Sequence, residues 1–401
     1  MSVDQNCDTQ FKDSFNYTTS FFIGLSTNYR FVAMETTSGL LSESVCKKPV
    51  QIRTDPISDY YTVEARPFAR GKFATVRRCR HKATGTEYAA KSMRKRRRAA
   101  DVRHEILHET HVLELSAHHP NIVQLHEVFE TPSEIVLVLE LVPGGELQRV
   151  LDDEEVVPER EAARLLKQIL SGVAFLHDHN IAHLDLKPQN LLLTKPFPDC
   201  EVKLCDFGIS RLITKGIEVR EILGTPDYVA PEVLHYEPIS LSTDMWSLGV
   251  LTYVLLSGHS PYGGDTKQET FCNITRGELE FPSDLFGHIS NSAKDFIQRL
   301  LVRDPRERMS AEDSLSHPWL KGNTPPTPGI QLTLTPDKGT AEASSPRLLD
   351  NTYRKNSSGE VKASPTRNVD RMVAQFEGLS MTKRIVFSEE IIVDERVGMV
   401  Y

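Results

Sequence analysis

His183-Leu184-Asp185-Leu186-Lys187-Pro188-Gln189-Asn190 runs directly into the apolar triplet Leu191-Leu192-Leu193, and Leu204-Cys205-Asp206-Phe207-Gly208 follows on the next apolar segment. Few folds can use such a pair. The short apolar strands and the turn between them bring an aspartate, a lysine two residues on, an asparagine five residues on and a second aspartate to one point. Two carboxylates, an ammonium and an amide around one point suit the handling of a phosphoryl group, which needs positioning and charge neutralisation more than covalent chemistry. Asp185 can orient an incoming hydroxyl and accept its proton, and Lys187 can offset charge on the moving group. Asn190 and Asp206 offer oxygen ligands to magnesium (Mg2+).

Upstream segments supply the rest of such a site. Phe68-Ala69-Arg70-Gly71-Lys72-Phe73-Ala74-Thr75-Val76 lies between two expected strands. A glycine there lets backbone N–H groups approach a triphosphate, so the loop is expected to cover phosphates. By itself an ordinary strand turn would be the better reading, because short glycine patterns are common. Tyr88-Ala89-Ala90-Lys91 then ends a strand on a lysine that can reach the α- and β-phosphates. Its carboxylate partner is Glu105 or Glu109, four apart and so on one face of the next helix, with Glu109 preferred.

Texture divides the chain into residues 1–59, 60–320 and 321–401. The head shows no sustained period and is expected to be disordered, with Met34 an alternative start. In the body, Ala74-Thr75-Val76, Glu87 to Lys91 and Ile135 to Leu139 read as strands, interrupted by a helix from Asp101 to Leu115. Helices are then expected over Glu159 to His177, Ser242 to Leu256 and Ser292 to Leu301. The implied class is α+β, with a small sheet-rich lobe, a larger helical lobe and a ligand cleft between them. The tail holds Thr324-Pro325, Thr327-Pro328, Thr335-Pro336, Ser345-Pro346 and Ser364-Pro365 among polar residues, so most of it is expected to be flexible and open to proline-directed phosphorylation. Better apolar spacing between Lys383 and Val400, at Ile385, Val386, Phe387, Ile391, Ile392 and Val393, suggests a short docking strand.

Together these motifs resemble the eukaryotic protein-kinase family over residues 60–320, which implies a bilobal fold, ATP and magnesium as cofactors, and protein hydroxyls as acceptors. The resemblance makes Glu140-Leu141-Val142 a hinge contacting adenine through backbone groups. Leu139 would be the gatekeeper, Glu146 the residue near the ribose, and Val76, Ala89 and Leu192 the walls around the base. Core and pocket wall look alike in sequence, so ordinary packing stays open for these apolar residues. Gly224-Thr225-Pro226 through Pro231-Glu232 resembles the end of the activation segment, with Thr225 against Asp185 and Lys187, which implies Ser/Thr substrates. Glu232 with Arg308 resembles the family's buried ion pair, and Asp244 the aspartate that ties the catalytic loop. Ala69 and Ala74 depart from the family's outer glycines, implying weaker closure on ATP. Leu184 replaces the arginine before the catalytic aspartate, implying that activity does not depend strictly on an activation-loop phosphate, though Ser210 and Thr214 could be modified.

Arg70-Gly71-Lys72-Phe73-Ala74, the basic run Arg94-Lys95-Arg96-Arg97-Arg98 and His104-Glu105-Ile106-Leu107-His108-Glu109 resemble the death-associated-protein-kinase-related group. That group lies in the calcium/calmodulin-dependent branch without a calmodulin-binding arm. It implies a role in apoptosis, myosin light chain as a substrate type, autophosphorylation and no calmodulin partner. A net charge of -8 argues against general nucleic-acid binding. The basic run is read as a solvated cluster, with a nuclear-localisation signal or a docking surface as its functional readings. No apolar run approaches the ~20 residues of a membrane span, and no signal-peptide core is seen, so nucleus or cytoplasm is expected. The six scattered cysteines suggest reduced thiols. A scaffold that keeps the kinase shape without turnover is the alternative, and it has no need of Lys91, Asp185, Lys187, Asn190 and Asp206 together.

Overall fold

A computed structural model describes residues 39–41, 50–71, 73–97, 100–154, 156–322, 385–387 and 392–393. For the last two segments only backbone pairing is described. The small lobe is a twisted sheet of β1 (Ile52–Arg53), β2 (Tyr61–Val63), β3 (Ala69–Arg70), β4 (Ala74–His81), β5 (Glu87–Arg94), β6 (Leu125–Glu130) and β7 (Glu134–Glu140). The order is β1-β6-β7-β5-β4-β3, with β2 also on β4. Alternation along β5 puts Ala89, Lys91 and Met93 on one face, and the register sets Ala89 opposite Leu139 and Lys91 opposite Leu137. Helix α1 (Arg103–Leu115) packs beside this sheet and buries both Glu105 and Glu109. It begins after the expected Asp101 because Ala100–Asp101 pairs with Arg96–Arg97 as a short hairpin. The Asp101 carboxylate then accepts from the Arg103 N–H at 2.9 Å, satisfying an otherwise unpaired first-turn donor.

The large lobe packs α2 (Glu159–Asp178), α3 (Ser242–Ser257) and α4 (Asn291–Leu300) around one apolar cluster. Helix α3 is buried almost all round, which its near-continuous apolar sequence requires, and Trp246 fills its centre at 0% exposure. Helix α4 starts at Asn291 because the Ser290 hydroxyl caps the Ala293 N–H at 3.1 Å while donating to Glu159 at 2.6 Å.

The N-terminal domain boundary also differs from the sequence expectation. The head before Tyr60 is not uniformly without structure: Ile52–Arg53 runs parallel to β6, and Leu40 and Leu41 are buried. These contacts are backbone pairing and single leucines, which leave no periodic trace. In the tail, Ile385–Phe387 pairs parallel with Ile222–Gly224, and Ile392–Val393 pairs antiparallel with Ala69–Arg70. Strands therefore occur within the stretch whose apolar spacing suggested docking, one on the activation segment and one on β3. Met34, Cys7, Cys46, the Ser/Thr-Pro sites, Lys72 and Arg98 lie outside the described residues. Cys79, Cys200, Cys205 and Cys272 are free thiols.

Candidate active site

Lys91 projects from β5 to α1, where its ammonium meets Glu109 at 2.6 Å and Asp206 at 2.8 Å. Glu105, one turn earlier, turns instead to Arg97 at 3.5 Å. Burial alone would lower the Lys91 pKa, but Asp206 and Glu109 outweigh it and the ammonium is held charged. Burial likewise pushes the Asp206 carboxyl up, and Lys91 overrides it, leaving Asp206 at about 2. For Glu109, burial raises the carboxyl above its ordinary value, and Lys91 at 2.6 Å opposes that rise without cancelling it.

The loop 183–190 is fixed from below. Asp244 at the start of α3 accepts the backbone N–H groups of His183 and Leu184, each at 2.8 Å, and meets His177 at 2.9 Å. Leu184 and Asp206 both sit at positive φ, 67° and 64°, which aims the neighbouring side chains into the cleft. Asp185 then receives Asn190 Nδ2 at 2.7 Å and the Thr225 hydroxyl at 2.9 Å, with Lys187 at 3.2 Å. Lys187 in turn donates to Thr225 at 2.8 Å. Gly224 makes this approach possible: its φ is 103°, and a Cβ there would lie 3.1 Å from the Leu184 carbonyl oxygen. Phe207 is fully buried against the His183 ring, centroids 5.1 Å apart.

The loop over the cleft is a hairpin in which Ala69 opposes Val76 and Arg70 opposes Thr75, closed by Gly71 N–H to the Ala74 carbonyl at 3.0 Å. Phe68 joins it through its N–H to the Val76 carbonyl at 3.1 Å. Phe73 stands exposed at the tip with the Arg97 guanidinium 4.0 Å above its ring. Sequence reasoning missed this use of the basic run. Lys95 also pairs inward, to Glu130 at 2.9 Å, whereas Arg94 and Arg96 are exposed. Val76, Leu139, Val142 and Leu192 are half-buried, whereas Ala89, Val138, Leu191 and Leu193 are buried. Glu140 commits its side chain to the Gln124 N–H and to Lys203, both at 2.9 Å. Glu146 bridges to Leu192, and burial pushes its carboxyl up to about 7.

The residues fit a divalent metal. The Asn190 Oδ1 is buried with no hydrogen-bond partner among the described residues, while its amide nitrogen is spent on Asp185. The Asn190 carbonyl accepts the Cys205 N–H at 3.0 Å, one residue before Asp206, so an amide oxygen and a carboxylate offer hard donors that phosphate oxygens would complete. Among the described residues no cluster of three or more His, Cys, Asp or Glu could hold a metal alone.

Two features of the activation segment escaped sequence reasoning. Arg211 forms a paired contact with Glu221, at 3.2 and 2.6 Å, so a carboxylate already orders this segment. Ser210 is fully buried and bonded, against the expectation that it is a modifiable site. Arg308 and Glu232 meet through two bonds of 2.7 Å.

A family profile described as protein kinase domain matches residues 63–320. Serine/threonine-protein kinase 17A of Oryctolagus cuniculus is 52% identical over 284 residues, 70% of this chain and 72% of that protein. Death-associated protein kinase related of Drosophila melanogaster is 56% identical over 274 residues, 68% of this chain and 41% of that protein. Death-associated protein kinase 2 of Mus musculus is 48% identical over 269 residues, 66% of this chain and 72% of that protein. A lysine held between two carboxylates and an aspartate bonded to a threonine belong with those matches: the chain is a serine/threonine protein kinase of the death-associated-protein-kinase family.

Proposed function

We propose that this kinase uses magnesium ATP to phosphorylate serine and threonine in myosin-light-chain-like substrates and in itself, and that it promotes apoptosis in the nucleus, the cytoplasm or both. The observation that supports the reading is the Asp185–Thr225–Lys187 contact set, a carboxylate, an ammonium and a threonine hydroxyl in one hydrogen-bonded unit, as proton acceptance and phosphate neutralisation at one point would need. Asn190 and Asp206 would hold magnesium, which when bound supplies charge neutralisation on the phosphates. Lys91 binds the triphosphate, and Glu109 keeps it pointed there. The relatives named for cell death support the apoptotic role, and exposed Arg94 and Arg96 support a nuclear address or a partner surface. The test is transfer of labelled γ-phosphate to a myosin light-chain peptide and to the protein itself, beside an Asp185→Ala control. Equal background in both would favour a scaffold. Calcium–calmodulin is expected to leave the rate unchanged. Phosphatase treatment should also leave it, because Glu221 already occupies Arg211; loss of activity would overturn the second expectation.

Ala69 opposes Val76 in a buried strand position, and its methyl restricts how far the loop can close. Ala69→Gly is expected to lower the KM for ATP by about twofold to threefold, a modest gain because the glycine also loosens the strand. An unchanged KM would show that the methyl does not restrict closure.

Glu146 gives a pH signature. Its carboxyl is neutral below about 7 and charged above it, because burial raises it. We infer that Glu146 also pairs with an arginine upstream of the phosphoacceptor, an attraction that only the charged form supplies. Preference for an arginine-containing peptide over its alanine counterpart, read as a kcat/KM ratio, should therefore rise between about pH 6 and 8 and stay flat in Glu146→Gln. The same shift costs stability as pH rises from about 4.5 towards 7, since the fold favours the protonated acid.

A further inference from the structure

Residues 39–41 precede the start of the family match at residue 63, yet they are built into the catalytic machinery. The Gly39 carbonyl accepts the Leu212 N–H at 2.7 Å, so this segment adds to the edge of the short strand Arg211–Leu212. Gly39 has φ 65°, and a Cβ there would stand 2.8 Å from Val219 Cγ2 and 3.2 Å from the Leu212 carbonyl oxygen. Only glycine fits. Two residues on, the Leu41 N–H donates to His108 Nδ1 at 2.8 Å. Nδ1 must then be bare and the ring proton must sit on Nε2, which faces the Ser210 hydroxyl at 2.9 Å. The Ser210 hydroxyl passes its own hydrogen to the Phe207 carbonyl at 2.8 Å. Every direction in the chain is fixed.

The ends of that chain matter. His108 adjoins Glu109 on α1, and Phe207 adjoins Asp206, the two carboxylates that hold Lys91. His108 is fully buried, and burial, with Arg211 nearby, pushes its pKa down to about 3, so the neutral tautomer persists. An apolar contact would let α1 slide relative to the activation segment; a directed chain of hydrogen bonds does not.

We propose that residues 39–41 are a positioning element for phosphoryl transfer: through His108 they hold the helix carrying Glu109 and the turn after Asp206 in the arrangement in which Lys91 meets both carboxylates. The inference rests on the kinase reading for its kinetic arm and not for its exchange arm. Full-length chains carrying Gly39→Val, His108→Leu or both are compared with the parent. Each single change is expected to lower kcat/KM for peptide phosphorylation by about tenfold, the scale expected when catalytic groups are slightly misplaced from a distance. Amide hydrogen exchange should rise over residues 104–112 and 207–212, while Ser242–Ser257 keeps its protection. The double variant should be no worse than His108→Leu alone, because both changes cut one link. Parent-like kinetics and exchange in Gly39→Val would overturn the proposal, as would losses that multiply in the double variant. Should His108→Leu lose protection in Ser242–Ser257, the parent, Gly39→Ala and Gly39→Val decide the matter alone, with loss graded by side-chain size expected and no loss overturning it.

Discussion

Asp185→Asn is expected to cut kcat by about a thousandfold, within the range a positioned general base supplies, while leaving the KM for ATP within about twofold. The two effects separate because the groups do. Lys91, Glu109 and Asp206 form one cluster at 2.6 and 2.8 Å, which meets the Asp185 set at Asn190, the residue that would share magnesium with Asp206. Asp185 instead belongs with Asn190, Thr225 and Lys187. An asparagine can still accept from Thr225 through its carbonyl, so the loop stays in place. Its amide nitrogen cannot accept from the Asn190 amide, nor take a proton from an incoming hydroxyl. Steady-state kinetics on a peptide substrate, with binding of an ATP analogue measured separately, checks both halves. A KM that rises together with the fall in kcat would mean that Asp185 assembles the nucleotide site as well, and the separation into two clusters would be wrong.

What the sequence could and could not convey follows the same division. Residues 183–190 and 206 were legible because their spacing is set by a short hairpin, where a few residues of chain fix the geometry. The choice of Glu109 over Glu105 was harder: both lie on the buried face of α1, and only the packing of that helix sends one to Lys91 and the other to Arg97. Pocket wall and core at Val76, Leu139 and Leu192 could not be separated, because burial is a property of neighbours and not of residue type. The segment 39–41 left no periodic signal, since two of its contacts are made by backbone groups. The Arg211–Glu221 pair was hidden for another reason. Its members lie ten positions apart with no regular period linking them, and exposed-looking charges of that kind are ordinarily solvated.

The largest loss of stability is expected from Arg308→Met. The Arg308 guanidinium is fully buried and meets the equally buried Glu232 carboxylate through two bonds of 2.7 Å, and Thr243 adds a third donor at 2.9 Å. Removing one partner of a buried pair costs about 3–5 kcal/mol, chiefly because the other charge stays buried. For a domain of this size that corresponds to a fall in Tm of about 10 °C, measurable by calorimetry. Replacing both partners, in Glu232→Leu with Arg308→Met, removes the orphaned charge and should recover part of the loss. Recovery is incomplete for a reason visible in the site: Arg308 also donates to the carbonyls of Val302 at 2.7 Å, Ser242 at 3.0 Å and Arg303 at 3.2 Å, which a methionine leaves unsatisfied. Arg308→Lys should rescue little, because one ammonium cannot span a carboxylate and three carbonyls as a planar fork does. Glu232 opens the short helix Pro231–Leu234 just beyond Thr225, so the pair anchors the segment that Asp185 and Lys187 grip. Protease sensitivity within residues 209–225 should therefore rise in Arg308→Met before the rest of the domain unfolds. Full recovery of Tm in the double variant would mean that the carbonyl contacts contribute nothing and that the anchor is the ion pair alone.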